Sequence, residues 1–194
     1  MPPQKPEKTG YGAAGLILHW GTALLFLAAF LLGENMEDMA RGPDKVSAMG
    51  VHLFFGALVF VAVVPRLAWR LIGGIPSTPA AMPWWERWSA SAVHLGLYAV
   101  MIGLPVTGFL AATSLPVPVP VFGLFEVPPL ATSPLLHEAG EEAHEFLVGL
   151  AVFLVIFHVI GTVWHIVIRR DGIAGRMIPF LARPQSEQAA SKAA

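Results

Sequence analysis

The sequence predicts an all-α integral membrane protein, a bundle of four transmembrane helices, and three observations carry that reading. Hydrophobic residues fill 55% of the 194 positions and charged residues only 13%, about half the charged share of an average soluble domain. Such a chain lacks the polar surface to be wetted on all sides. Four apolar stretches are each long enough to cross about 30 Å of hydrocarbon at 1.5 Å rise per residue. The Lys and Arg residues gather on one side of those stretches, the asymmetry that orients membrane proteins.

The first span covers residues 13–33, preceded by a short cytoplasmic segment, 1–12. Its apolar run exceeds the core of a secretory signal and holds His19, so it is expected to remain as an uncleaved helix. The second covers 47–72 and carries Arg66 and Arg70 near its end; near a helix end, Arg66 can snorkel to the interface. Residues 74–83 are Pro-rich and short, a tight cytoplasmic connection. Trp84, Trp85 and Trp88 follow it as an interfacial aromatic belt. The third span covers 91–113. Prolines 116, 118, 120, 128, 129 and 134 then predict an extended external loop lying over the bundle, because proline lacks a backbone donor and favours polyproline or turn geometry. The fourth span covers 146–168. Residues 13–182 form one membrane domain, with no internal repeat and no second domain, and the small polar residues 183–194 are expected to be a disordered tail.

Four crossings return the C-terminus to the side of the N-terminus, and every charge can then be assigned to a side. One side holds Lys5, Lys8, Arg66, Arg70, Arg87, Arg169, Arg170, Arg176, Arg183 and Lys192 against Glu7, Glu86, Asp171 and Glu187, a net of +6. The other holds Arg41 and Lys45 against Glu34, Glu37, Asp38, Asp44, Glu126, Glu138, Glu141, Glu142 and Glu145, a net of −7. The positive-inside rule places both termini in the cytoplasm. The overall charge of −1 offers no basic field for nucleic acid. With no Cys in the chain, disulfides, iron–sulfur clusters, thiolate zinc sites and covalently attached haem are excluded, since each needs sulfur. A metal here must be held by nitrogen or oxygen.

The chemistry lies in the histidines, because an imidazole inside a membrane span is costly and marks function by default. His144 and His158 are 14 residues apart, 40° short of four full turns, so they share a helix face with a rise of about 21 Å between them. Depth matching supplies a partner for each: His19 with His158 towards the cytoplasm, and His52 with His144 towards the outside. Two imidazoles on facing helices with a flat macrocycle between them make a bis-His haem site. Gly15, Gly56, Gly140 and Gly161 lie one turn from the four histidines, where a missing side chain leaves room for a porphyrin; glycines also serve close helix packing. Convergence of all the imidazoles on one zinc or copper ion is forbidden by the 21 Å rise, because metal–nitrogen bonds are about 2 Å long. A proton relay is the remaining reading, although no Asp or Glu lies inside a span to continue it. His165 falls on the ligand face at the cytoplasmic rim and His94 opens the third span at the same surface; each is a candidate for a haem propionate or a quinone carbonyl, with Arg66 and Arg70 at similar depth. His137 reads as a solvated external residue.

The chain resembles the bacterial cytochrome b561 family of two-haem, four-helix membrane proteins. The stretches that carry the likeness are LHW at 18–20, HLFFGALVFVAVVPRLAWR at 52–70, HLGLYAVMIGLPVTG at 94–108, VFGLFEVP at 121–128 and AHEFLVGLAVFLVIFH at 143–158. The resemblance implies that His19, His52, His144 and His158 are axial ligands of two haem b irons in a multi-pass protein of the bacterial inner membrane. It implies an electron carrier linked to quinone. A haem with both axial positions filled passes electrons rather than activating oxygen. The external charge of −7 repels small anions such as superoxide and favours a basic periplasmic redox protein. The alternative is a haem-bearing membrane anchor that docks a dehydrogenase or hydrogenase through the external Pro-rich loop.

Overall fold

A computed structural model describes residues 10–73, 76 and 82–181. The expected N-terminal segment lies mostly outside the described residues, as do residues 183–194, expected to be a tail, and most of the 74–83 connection. Four long helices dominate: α1 (Gly12–Glu37), α2 (Pro43–Gly73), α3 (Trp84–Thr113) and α4 (Pro134–Trp164). All four are long and apolar enough to cross a membrane; three expected spans lie within a helix, and the fourth, 146–168, runs through the end of α4 into the π-helical turn that continues it.

The helices run past the expected spans wherever polar residues can be solvated. The largest extension is in α4, which starts at Pro134, twelve residues ahead of the hydropathic boundary. Ser133 caps it by accepting from the Leu136 N–H, with Pro134 in the first turn, a residue that costs nothing there because the first amides have no helical partner. Glu138, Glu141, Glu142 and Glu145 ride on this extension and are exposed. At its other end α4 continues as a π-helical turn, His165–Arg169, closed by Arg170 in the left-handed region (φ 51°). Short 3-10 turns at Ala174–Arg176 and Pro179–Leu181 follow. They are clasped to α1 where the Trp20 indole donates to the Met177 carbonyl at 2.9 Å.

The Pro-rich segment between α3 and α4 is more ordered than proline content alone suggests. Val119–Val121 (β1) pairs antiparallel with Phe125–Val127 (β2), Val121 opposite Phe125. Phe122 and Gly123 turn the chain at φ 53° and 67°, and the Leu124 N–H donates to the Val121 carbonyl at 3.0 Å. As expected, the segment lies over the bundle. Its Pro120 carbonyl approaches Gly50 of α2 so closely that a Cβ there would sit 1.7 Å from the oxygen, which only glycine permits.

The closely packed helix neighbours are α1 with α2, α2 with α3 and α3 with α4. Buried Val100 and Leu104 of α3 meet Ala151 and Leu154 of α4 in one core cluster, while Val59 and Val63 of α2 meet Met101 of α3 in another; Phe26 of α1 packs on both. Burying such side chains contributes about 1.5–3 kcal/mol each in water, but inside lipid packing and missing side chains do more of that work. The outer faces expose Ile17, Leu24, Phe153 and Ile160 among many apolar residues, as a lipid-facing surface requires. Trp84 and Trp88 are exposed at the start of α3, in keeping with an interfacial belt. Buried Glu86 of that first turn accepts from the Trp164 indole at 3.2 Å and pairs with Arg169 at 3.4 Å, tying α3 to the end of α4. The end of the bundle with Arg66, Arg70 and Arg169 is termed the basic end, and the opposite one the acidic end.

Candidate functional site: two stacked imidazole pairs

Helix α4 carries His144 towards the acidic end and His158 towards the basic end, and each faces an imidazole from another helix. The His52 and His144 ring centroids are 6.0 Å apart with planes at 82°; those of His19 and His158 are 6.2 Å apart at 45°. Two imidazole nitrogens bound to one metal from opposite sides lie about 4 Å apart, and each ring centre sits about 1 Å behind its nitrogen, giving about 6 Å between centroids. Both pairs have that spacing. The helices that face these rings together, α1 with α4 and α2 with α4, are not among the closely packed neighbours.

At the acidic end the hydrogen bonds also define the tautomer. The His52 Nδ1–H donates to the Ala29 carbonyl at 2.9 Å, and the His144 Nδ1–H donates to the Leu104 carbonyl at 2.9 Å, with the Thr107 hydroxyl at 3.2 Å. A carbonyl can only accept, so each ring keeps its proton on Nδ1 and presents the Nε2 lone pair. A backbone acceptor of this kind commonly orients a metal-binding imidazole. A cavity of about 860 Å³ is lined by both rings, within the usual range for cofactor pockets of roughly 300–1,000 Å³. Gly56 lines it, and a Cβ there would meet nothing within 4 Å. The donor set, the spacing and the cavity fit a planar tetrapyrrole held by two nitrogens.

The basic end is more crowded. The Arg66 guanidinium donates to His19 Nδ1 at 2.8 Å, so the ring's proton is on Nε2. Metal binding through Nε2 requires that proton to move to Nδ1 and the guanidinium to turn away. Arg66 and Arg70 both flank the Tyr98 ring, at 5.6 and 5.9 Å from its centroid. His94 comes closer to His158 than depth matching suggested, with centroids 5.2 Å apart. Its Nδ1–H donates to the Ala90 carbonyl one turn back at 2.6 Å. The 5.2 Å spacing is about 1 Å short of that for trans ligands, whereas His19 meets it. His165 is engaged elsewhere: its Nδ1 lies 2.7 Å from Asp171 Oδ2, and Asp171 Oδ1 accepts from the Ile173 N–H, which holds the turn after α4.

Two expectations for the glycines need correction. A Cβ on Gly15 would sit 2.7 Å from Tyr11 Cβ and 3.4 Å from the Trp69 indole nitrogen, and one on Gly140 would sit 2.8 Å from the Ala111 amide. Both make room for neighbouring protein instead of a cofactor. The glycines that make room for the imidazoles are Gly33, where a Cβ would meet His52 Cε1 at 3.2 Å, and Gly108, where a Cβ would meet His144 Cε1 at 3.0 Å. Both lie on helices other than that of the histidine they admit, so no spacing along the chain signals them. His137 is likewise less solvated than expected. It lines the cavity, and its Nδ1–H donates to the Ala111 carbonyl at 2.9 Å.

Four membrane-spanning helices enclosing facing imidazole pairs define a class of helical membrane proteins built to hold a macrocycle between side chains. Residues 10–180 match the family model of prokaryotic cytochrome b561, and the chain belongs to that family. Cytochrome b561 homolog 2 of Escherichia coli is 30% identical over 180 residues, covering 89% of this chain and 92% of that protein. Cytochrome b561 homolog 1 of the same organism is 25% identical over 166 residues, 84% and 94% of the two chains. Cytochrome b562 of Cereibacter sphaeroides is 28% identical over 113 residues, 54% and 68% of the two. Membership makes this a multi-pass bacterial membrane protein of haem b electron transfer.

Proposed function

We propose that the chain binds two haem b groups, one between His52 and His144 and one between His19 and His158, and conducts electrons across the membrane to or from the quinone pool. The observation that carries this reading is the pair of imidazole spacings, 6.0 and 6.2 Å, at two levels of one helix. Bound haem supplies the one-electron Fe(III)/Fe(II) couple. The protein supplies axial nitrogens, burial and local charge. Ala29 and Leu104 carbonyls hold the acidic-end rings, and Arg66 and Arg70 provide cations for an anionic propionate at the basic end. His165 is tied to Asp171 and the Nδ1–H of His94 to Ala90, so a propionate or quinone carbonyl at that end takes its donor from Arg66 or Arg70 rather than from the two histidines expected there. The basic end, with both termini, faces the cytoplasm by the positive-inside rule, and the membrane is the bacterial inner membrane. The acidic end suits a basic soluble redox protein as exchange partner.

Ligand variants test the assignment. His52→Ala and His144→Ala each lose the acidic-end haem and retain the other; His158→Ala does the reverse, read as haem per chain and as low-spin b-type bands. Retention of both haems with unchanged spectra in His158→Ala and His144→Ala contradicts it. A second reading, an anchor that docks a partner enzyme, is favoured by the hairpin tip, where Phe122, Leu124 and Phe125 are exposed. Purification in mild detergent decides between the two, since an anchor brings its enzyme in stoichiometric amount.

A further inference from the structure

The β1–β2 hairpin hangs beside α2 and does not stand clear of the bundle. Gly50 admits the Pro120 carbonyl, and one turn further along α2 the Phe54 ring meets the Phe122 ring edge to face, with centroids 5.1 Å apart. Gly50 and Phe54 continue at helical spacing into Ala57, Val61 and Val64, and those three are exposed. The hairpin therefore covers the acidic-end part of the lipid-facing stripe of α2. Depth follows from the charges on the same helix. Lys45 and Arg66 bracket its uncharged run and are 21 residues apart, about 31 Å of helix, which is the thickness of the hydrocarbon. Phe54 lies nine residues inside Lys45, about 13 Å along the axis. The turn that touches it thus reaches below the headgroups.

We infer that the hairpin tip, residues 122–125, is an interfacial membrane anchor that inserts among the acyl chains of the leaflet at the acidic end. The chemistry of the segment fits lipid. Glu126 is the one charge between residues 115 and 134, and it pairs with Pro120, level with Gly50 and short of the tip, where a carboxylate can reach the headgroups. Pro116, Pro118 and Pro120 alternate along the chain, so three amide N–H groups that lipid could not satisfy are absent. At the turn the Leu124 N–H donates to the Val121 carbonyl. Phe122, Leu124 and Phe125 are exposed, and apolar side chains presented at this depth meet acyl chains before they meet a soluble protein. Val121, Phe125 and Val127 also line the acidic-end cavity, so a tip held in lipid keeps that wall of the cavity against α2. The inference needs the membrane spans alone and is independent of the number of haems.

The test uses the purified, haem-loaded full chain in phosphatidylcholine nanodiscs, one chain per disc. Modification by a charged maleimide is followed by intact mass in Leu124→Cys and in Glu138→Cys, each the sole thiol of its chain. Leu124 is 82% exposed, so the fold itself does not shield a thiol there and shielding in the disc comes from lipid. The expected rate at position 124 is slower than at 138 by about tenfold or more, because a charged reagent does not enter hydrocarbon. A smaller difference puts the tip in water, as a dock for a soluble enzyme requires, and overturns the inference. If Leu124→Cys does not fold, the unsubstituted chain decides. A phospholipid with a diazirine in its acyl chain is expected to crosslink within residues 122–125 as well as on the exposed face of α4 at Phe153, Ile156 and Ile160. Crosslinks on α4 with none in the hairpin overturn the inference.

Discussion

At the scale of single residues, the site depends on imidazoles whose free nitrogen is selected by a backbone acceptor. His52 and His144 spend their Nδ1–H on the Ala29 and Leu104 carbonyls, which leaves Nε2 for a metal. The space for each ring comes from a glycine on the neighbouring helix. Gly108→Val therefore drives a side chain into His144, whose Cε1 is already 3.0 Å from the position of a Cβ. The expected outcome is loss of at least half of the acidic-end haem with the basic-end haem kept, measured as haem per chain; overpacking of this kind typically costs about 1–3 kcal/mol. Full occupancy with an unshifted spectrum contradicts the role of Gly108. The same substitution at exposed Gly149, where a Cβ meets nothing within 4 Å, is the control for a general effect on helix packing. Sequence spacing exposed the four histidines because His144 and His158 recur on one face of α4 and His19 and His52 lie at matching depths on α1 and α2. It did not expose Gly33 and Gly108, or the approach of His94 to His158, because those contacts depend on how the helices are rotated against one another.

At the scale of elements, three attachments hold the bundle's ends. The hairpin sits on α2 through the contact of Pro120 with Gly50, and Gly50→Ala places a Cβ 1.7 Å from the carbonyl oxygen. The hairpin must lift, and the melting temperature in detergent is expected to fall by several degrees, in line with about 1–3 kcal/mol of overpacking. An unchanged melting temperature counts against that attachment. At the basic end Glu86 ties α3 to α4 through Trp164 and Arg169. Removing one member of a buried pair costs about 3–5 kcal/mol; Arg169 is 30% exposed, so Glu86→Ala is expected to cost less, about 2 kcal/mol, read from the same melts. Hydropathy located all four spans, but it placed the start of α4 twelve residues late. The exposed carboxylates at 138–145 interrupt the apolar signal while costing a solvated helix nothing. The hairpin was masked for a related reason: its prolines suit an extended chain, and the turn rests on Phe122, a bulky residue in the left-handed region, where local preference predicts glycine or asparagine.

At the scale of the whole molecule, the charges divide between the two ends, and this division governs both orientation and encounter. The chain has no Cys, so a single introduced thiol reports its own side without background. Glu138→Cys is expected to react with an impermeant maleimide added outside intact spheroplasts, and Arg176→Cys only after lysis; the reverse pattern contradicts the proposed orientation. Electron exchange at the acidic face with a small cationic redox protein is expected to slow as salt rises, since exposed charges are screened over about 8–10 Å at 0.1–0.15 M. A rate indifferent to ionic strength removes the electrostatic basis for choosing that partner. The central claim, two haems each gripped by two imidazoles, is tested most directly by quantifying haem b per chain in the purified protein together with its low-temperature electron paramagnetic resonance spectrum. Two haems per chain, both low-spin, is the result this account predicts; a single haem, or a high-spin signal from an open coordination site, contradicts it.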